Sequence, residues 1–280
     1  MSTSQLAADY RKNGFTVIEN AIAASDLDSI KNAAHNIVES FDASKHRSVF
    51  STKHQDKDRD TYFIDSAEAV HCFLEEHALT ESGELNRPKD RAINKIGHAM
   101  HDLVPEFADF CRLPVFAETM HALGLQTPKL WQTMYIFKQP QIGGEVRWHQ
   151  DASYLIANNT GVIGCWIAIE DASKSNGCLW LEPGGHHSPL REIFEVSPEA
   201  PTGLLRALDD TPWPDKSKAL AVEVAAGSIV LFSDRMPHYS SQNFSDRSRQ
   251  AFTMHFTDKS SQWSEKNWLQ RRSLPPFLLN

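Results

Sequence analysis

The sequence predicts a mainly β protein, an antiparallel sandwich or barrel supported by helices. Beyond Gly124, six segments read as strands: 129–137 (KLWQTMYIF), 162–170 (VIGCWIAIE), 178–182 (CLWLE), 219–224 (ALAVEV), 228–232 (SIVLF) and 249–257 (RQAFTMHFT). Tight-turn residues separate them in place of helices, at Gly143-Gly144, Asn176-Gly177, Pro183-Gly184-Gly185 and Ala226-Gly227. Before Gly124 the apolar spacing is mostly helical. The expected organisation is one domain over 1–280, with helical support in 1–125, a β core in 126–260 and a tail in 261–280.

Taken in order, Phe15 to Glu19 reads as a strand, and Ser25 can cap a helix carrying Leu27, Ile30, Ile37, Val38 and Phe41 on one face. Residues 42–60 are polar with mixed charge, the pattern of a solvated loop. Helical spacing returns in Ala69 to Leu74, in Ile93, Ile96, Met100 and Val104, and from Phe107 to Leu123, where Gly124 terminates it. Asn176-Gly177 between two strands signals a hairpin. Residues 184–218 form a long connection with the character of a lid or binding loop, and the tail shares its lack of strand signals.

Composition narrows the function. Hydrophobic residues at 41% and charged residues at 23% suit a folded core, and a net charge of -8 argues against binding phosphate backbones or anionic lipid. The first ten residues lack the basic and apolar segments of a secretory signal, and no apolar run reaches membrane-spanning length. Cys72, Cys111, Cys165 and Cys178 form no Cys-x-x-Cys pair, so the expected setting is a reducing, cytoplasmic one.

Two His-Gln-Asp motifs occur, against about 1.7 His-x-Asp/Glu matches expected by chance from 13 His and 36 acidic residues in 280. His54-Gln55-Asp56 sits in the charged loop and is read as solvated surface. His149-Gln150-Asp151 follows a Gly-Gly turn where a strand resumes, and on an extended chain positions i and i+2 share a face. His238, just after the SIVLF strand, is the best third ligand. Two imidazoles and one carboxylate suit a non-haem Fe(II) oxygenase, and the His-Glu-x-x-His helix of zinc hydrolases is absent. Satisfied structural histidines are the competing reading.

Arg249 opens the last long strand and by alternation shares a face with Ala251, Thr253 and His255, opposite Phe252, Met254 and Phe256. An inward guanidinium needs an anion and can grip a carboxylate through two parallel hydrogen bonds; a surface ion pair with Asp234 or Asp246 is the alternative.

The ordered set HQDASYL, NGCLWLEPGGHH and AAGSIVLFSDRMPHYSSQNFSDRSRQAF resembles the phytanoyl-CoA dioxygenase family of Fe(II)/2-oxoglutarate oxygenases, and INKIGHAMH and CWIAIEDASKSNGCLW are similar to its domain-containing-protein branch. The likeness spans most of residues 10–257. It implies a double-stranded β-helix (jelly-roll, cupin-like) holding Fe(II) through His149, Asp151 and His238, with Arg249 on the distal carboxylate of 2-oxoglutarate and dioxygen as the second cosubstrate. It also implies cosubstrate contacts from Lys95, Met134 and Trp166. On their own residues these three read otherwise: Lys95 as a solvated neighbour on a helix, Met134 as packing, and Trp166 as core, unless Gly164 leaves room for a ligand over the indole. Gly185 stands where many relatives have serine, so His186 receives no role.

The expected activity is hydroxylation of a small organic or lipid-like substrate, with release of succinate and carbon dioxide. A non-catalytic scaffold on the same fold and a metal-dependent isomerase or lyase are the rivals. The charges at Lys45, Arg47, Lys53, Lys57 and Arg59 are offset by Asp56, Asp58 and Asp60 and do not establish a CoA site.

Overall fold

Two sheets, antiparallel except where the edge strand at Val49–Phe50 pairs in parallel, face each other in the computed structural model, which describes residues 2–50, 61–159 and 161–279. The chain begins with α1 (Thr3–Asn13), whose first turn is capped by the Ser2 hydroxyl accepting from the Gln5 N–H. Strand β1 (Phe15–Ile18) and helix α2 (Ala24–Ser40) follow as expected, but the cap position of α2 is Ala23 and Ser25 lies inside the first turn. Then come β2 (Val49–Phe50), α3 (Thr61–Asp65), β3 (Val70–Glu75) and β4 (Ile93–His98).

Strands β3 and β4 correct the helical reading of 69–74 and 93–98, although most of the regular structure described in 1–125 is helical. Both lie within the sheet, and β4 is buried on both faces, so the period-two signal that marks a half-exposed strand is missing from its sequence. Three short helices follow, α4 (Met100–Leu103), α5 (Pro105–Cys111) and α6 (Pro114–Ala122). The helix expected over 107–123 is split because Pro114 forces Leu113 into an extended conformation and starts a new helix at its own first position. Gly124 ends α6 as expected, with its N–H on His121 O and that of Leu125 on Met120 O.

The β core comprises β5 (Pro128–Ile136), β6 (Val146–His149), β7 (Ile163–Ala168), β8 (Leu179–Leu181), β9 (Glu192–Ser197), β10 (Ala200–Ala207), β11 (Leu220–Val222), β12 (Ile229–Ser233), β13 (His238–Ser240), β14 (Ala251–Asp258) and β15 (Phe277–Leu278). The major sheet runs β1-β12-β7-β14-β5-β4-β3-β2 with β15 beside β5, and the minor sheet runs β11-β8-β13-β6. This is the jelly-roll arrangement. Alternation divides the core in two. Cys165, Ile167, Ile229, Leu231, Phe252, Met254 and Phe256 pack with α2, α5 and α6, whereas Trp166, Ala168, Val230, Phe232 and Ala251 face the minor sheet.

Two connections differ from expectation. Asn176-Gly177 does not close a hairpin: β7 and β8 belong to different sheets, and the Asn176 amide instead ties the crossing together by donating to Asp171 O and accepting from the Ser173 N–H. Residues 184–218 contain the β9–β10 hairpin, whose Phe194 is buried with Phe63, Trp131, Leu155 and Trp268. The tail also has a strand role through β15, which pairs with β5, and Trp263 stacks on Trp131 at 3.8 Å. Among the described residues no helix is long and apolar enough to cross a membrane.

Candidate active site

Strands β6 and β13 are antiparallel neighbours in the minor sheet, and their register sets His149 directly opposite His238, with ring centroids 3.9 Å apart. Gln150 continues the extended chain and Asp151 follows on the same side, as the i, i+2 argument requires. This short segment is held by Gln150 itself, fully buried, whose amide donates to the carbonyls of Pro189 (3.1 Å) and Arg235 (2.9 Å) and accepts from the Arg191 N–H (3.1 Å).

The tautomers of both histidines are fixed by backbone carbonyls, which can only accept. Nδ1 of His149 donates to Arg147 O at 2.9 Å and Nδ1 of His238 to Met236 O at 3.0 Å. With Nδ1 as the donor, Nε2 of each ring is the atom turned towards Asp151 Oδ1, 3.8 Å and 3.6 Å away. These three ligand atoms lie within 4.8 Å of one another, a set that could hold a divalent cation. Burial, and then the neighbouring His238, push the His149 pKa down to about 3, which keeps its lone pair available. Burial alone would raise the Asp151 carboxyl, but His255, His238 and His149 outweigh it and hold the group well below the usual carboxylate range.

The second oxygen of Asp151 accepts from His255 Nε2 at 3.1 Å, and His255 Nδ1 in turn accepts from the Gln132 amide at 3.2 Å. His255 and Gln132 are register partners on β14 and β5, so the major sheet orients a ligand borne by the minor-sheet segment. Gly164 on β7 is required by this approach: a Cβ there would lie 2.7 Å from the Phe232 ring and 3.1 Å from Asp151 Oδ2. The space beside Trp166 thus accommodates the Asp151 carboxylate.

Arg249 is 2% exposed, and its Nε donates to Gly177 O at 3.0 Å while Nη2 lies 3.5 Å from Ser240 Oγ. Nη1 is buried with no hydrogen-bond partner. A guanidinium nitrogen left bare in this way costs stability unless an anion reaches it. Burial brings the Arg249 pKa down to about 10, so the side chain is a cation at neutral pH. Its guanidinium lies 5.4 Å from the Trp166 ring centroid.

His149, Asp151, His238, Arg249, Lys95, Met134 and Trp166 all line one cavity of about 130 Å³ between the sheets. Lys95 reaches it from β4 and not from a helix, buried, with Nζ 3.5 Å above the Phe50 ring and 4.0 Å from the Met134 sulfur. The groove of about 1120 Å³ bordered by Lys31, His35, Asp90, Arg91, Glu170 and Arg247 is larger but holds none of these seven. His186 lies on the turn after β8 against Arg11 O, and His54-Gln55-Asp56 falls outside the described residues.

The phytanoyl-CoA dioxygenase (PhyH) family profile matches residues 10–251. The chain belongs to the phytanoyl-CoA dioxygenase family. It is 40% identical over 274 residues to the phytanoyl-CoA dioxygenase domain-containing protein 1 homolog of Caenorhabditis briggsae, covering 95% of each chain. Among solved structures it is similar to the non-heme alpha ketoglutarate dependent carbocyclase SnoK (TM-score 0.65, 16% identity, 99% of this chain and 96% of that one). It is also similar to the epimerase SnoN in complex with Fe3+, alpha ketoglutarate and nogalamycin RO (TM-score 0.63, 14% identity, 93% and 85%). At these identities the structures establish the fold.

Sequence reasoning missed four residues of this phytanoyl-CoA dioxygenase family member's cavity region: Gln132, Gln150, His255 and Lys138. His255 was legible as an inward position on β14, two residues from Thr253, but its partner on β5 depends on register. Lys138 follows the KLWQTMYIF segment, and nothing local shows that it turns inward.

Proposed function

We propose that the protein is an Fe(II)- and 2-oxoglutarate-dependent oxygenase, acting as one unit over 1–280, that hydroxylates a small organic or lipid-like substrate and releases succinate and carbon dioxide. The observation that carries this reading is the partnerless Nη1 of Arg249, a residue that lines the same cavity as the three candidate metal donors. One carboxylate at the arginine and a chelating head at the metal describe a 2-oxo dicarboxylate.

Within this reading, Nε2 of His149, Nε2 of His238 and Oδ1 of Asp151 would hold the ion. Bound there, iron would supply the reaction with dioxygen that couples oxidative decarboxylation of 2-oxoglutarate to oxidation of the substrate. His255 keeps the other oxygen of Asp151 occupied, and Arg249 fixes the cosubstrate's far end. Phe232, Trp166 and Leu179 exclude water from the space between. Lys95 and Met134 are assigned to the cosubstrate's flank. The four cysteines, all buried and unpaired, fit the expected reducing cytoplasm, and the net charge of -8 favours a small-molecule partner over nucleic acid.

A different oxidative outcome is the second reading, because the similar folds SnoK and SnoN are described as a carbocyclase and an epimerase. Anaerobic addition of 2-oxoglutarate to the Fe(II) protein should give a weak visible charge-transfer band that fades as oxygen is admitted and succinate forms. A folded, iron-loaded protein giving neither band nor succinate would leave the scaffold reading in its place.

A further inference from the structure

Two buried cations stand side by side at one end of the cavity. The β5–β14 register pairs Ile136 with Ala251, and two residues further out the Arg249 N–H donates to Lys138 O at 3.3 Å, so Lys138 and Arg249 are opposite one another. Both are 2% exposed and both line the cavity. Their stems converge on Gly177, whose carbonyl accepts from Arg249 Nε and whose Cβ, if present, would sit 2.8 Å from Lys138 Cε. Like charges directly across a strand pair are destabilising, and burial makes them more so.

The nearby carboxylates do not resolve this. Glu75, also buried, accepts from the Gly144 N–H at 3.2 Å and leaves Oε1 without a partner, while Lys138 Nζ donates to Gly144 O at 2.6 Å. The backbone of Gly144 thus lies between the two side chains. Glu145 is engaged by the Tyr239 hydroxyl, and Glu170 by Ser248, the Gln250 N–H and Lys31. Burial first, and then Arg249, draw the Lys138 pKa well below its ordinary value against the opposing pull of Glu75 and Glu145. An ammonium has three donors, of which Gly144 takes one.

We propose that Lys138 is a second anchor for the distal carboxylate of 2-oxoglutarate, acting beside Arg249, with Glu75 offsetting one of the two cations and the cosubstrate the other. The inference rests on the oxygenase reading and adds to it a residue that selects a dicarboxylate over a simple 2-oxo acid.

The test compares 2-oxoglutarate with 2-oxopentanoate, which keeps the chelating head and chain length but carries a methyl group in place of the distal carboxylate. Both are titrated anaerobically into the Fe(II) protein, with the charge-transfer band as the binding signal. Lys138→Met should raise the 2-oxoglutarate dissociation constant about tenfold or more, as expected for a lost hydrogen bond to a charged group, and barely move that of 2-oxopentanoate. Equal effects on both compounds, or none, would overturn the proposal and leave Lys138 as a brace for the Gly143-Gly144 turn. Should Lys138→Met not fold, Glu75→Gln, which keeps the acceptor for the Gly144 N–H, should tighten 2-oxoglutarate alone; an unchanged or weaker affinity would count against the anchor. Failure of the wild-type protein to bind either compound would instead remove the oxygenase reading, and the anchor with it.

Discussion

Replacing Gln150 by Leu strips partners from three backbone groups at once while roughly keeping the side chain's volume. The Pro189 and Arg235 carbonyls lose their donor and the Arg191 N–H loses its acceptor. A buried polar group left unpaired costs about 1–3 kcal/mol, and two of these bonds are part-buried, which places each group near the lower end. The expected loss is therefore about 3 kcal/mol. With a slope of about 3 kcal/mol per molar urea, the unfolding midpoint of Gln150→Leu should fall by about 1 M at unchanged slope. Because Gln150 lies between two metal donors, the same variant should also bind Fe(II) more weakly in an anaerobic titration. A midpoint shift under about 0.3 M, smaller than three orphaned backbone groups would produce, would refute the view that this amide holds the segment.

Alanine at His149, Asp151 or His238 should each abolish stable Fe(II) binding, whereas His54→Ala with Asp56→Ala should leave it intact; the reverse pattern in an iron titration would relocate the centre. Arg249→Lys should raise the 2-oxoglutarate requirement and Arg249→Ala should raise it further with iron retained, because a point charge cannot reproduce the forked contact. His255→Phe should weaken Fe(II) binding by about tenfold or more, the usual effect of losing an outer partner of a metal ligand, and equilibrium dialysis would show it. Glu68 accepts from the Leu274, Ser273 and Arg272 N–H groups and the Ser273 hydroxyl, and against the cost of burial these bring its pKa from 4.5 down to about 2. A depressed carboxyl stabilises above its unfolded pKa, so tail docking should hold above about pH 4.5 and be lost as pH falls towards 2, and Glu68→Gln should flatten that dependence in tryptophan fluorescence.

The legible parts of the fold were those with one face towards helices and the other towards a cavity. In β14 the two faces differ in residue type, so the alternation of Phe252, Met254 and Phe256 with Thr253 and His255 could be read directly. Strand β4, buried on both sides, offers no such contrast, and Ile93 and Ile96 fit a helical spacing equally well. That His149, Asp151, His238 and Arg249 would face one space was legible because motif spacing and strand alternation are local properties. Lys138, Gln132 and Gln150 act through partners 39 to 123 residues away in sequence, at Gly177, His255, Pro189 and Arg191, and these pairings exist only once register is set.

His149 and His238 are cross-strand partners although 89 residues (238 − 149) separate them. The chain must thread β7 through β12, which serve both sheets, before the second imidazole arrives beside the first. Closing so long a loop is slow relative to local helix formation. During synthesis, a chain that has passed Asp151 holds two donors side by side but not the facial set. In the oxygenase reading, a metal would thus lack its full set of donors until His238 has docked beside His149.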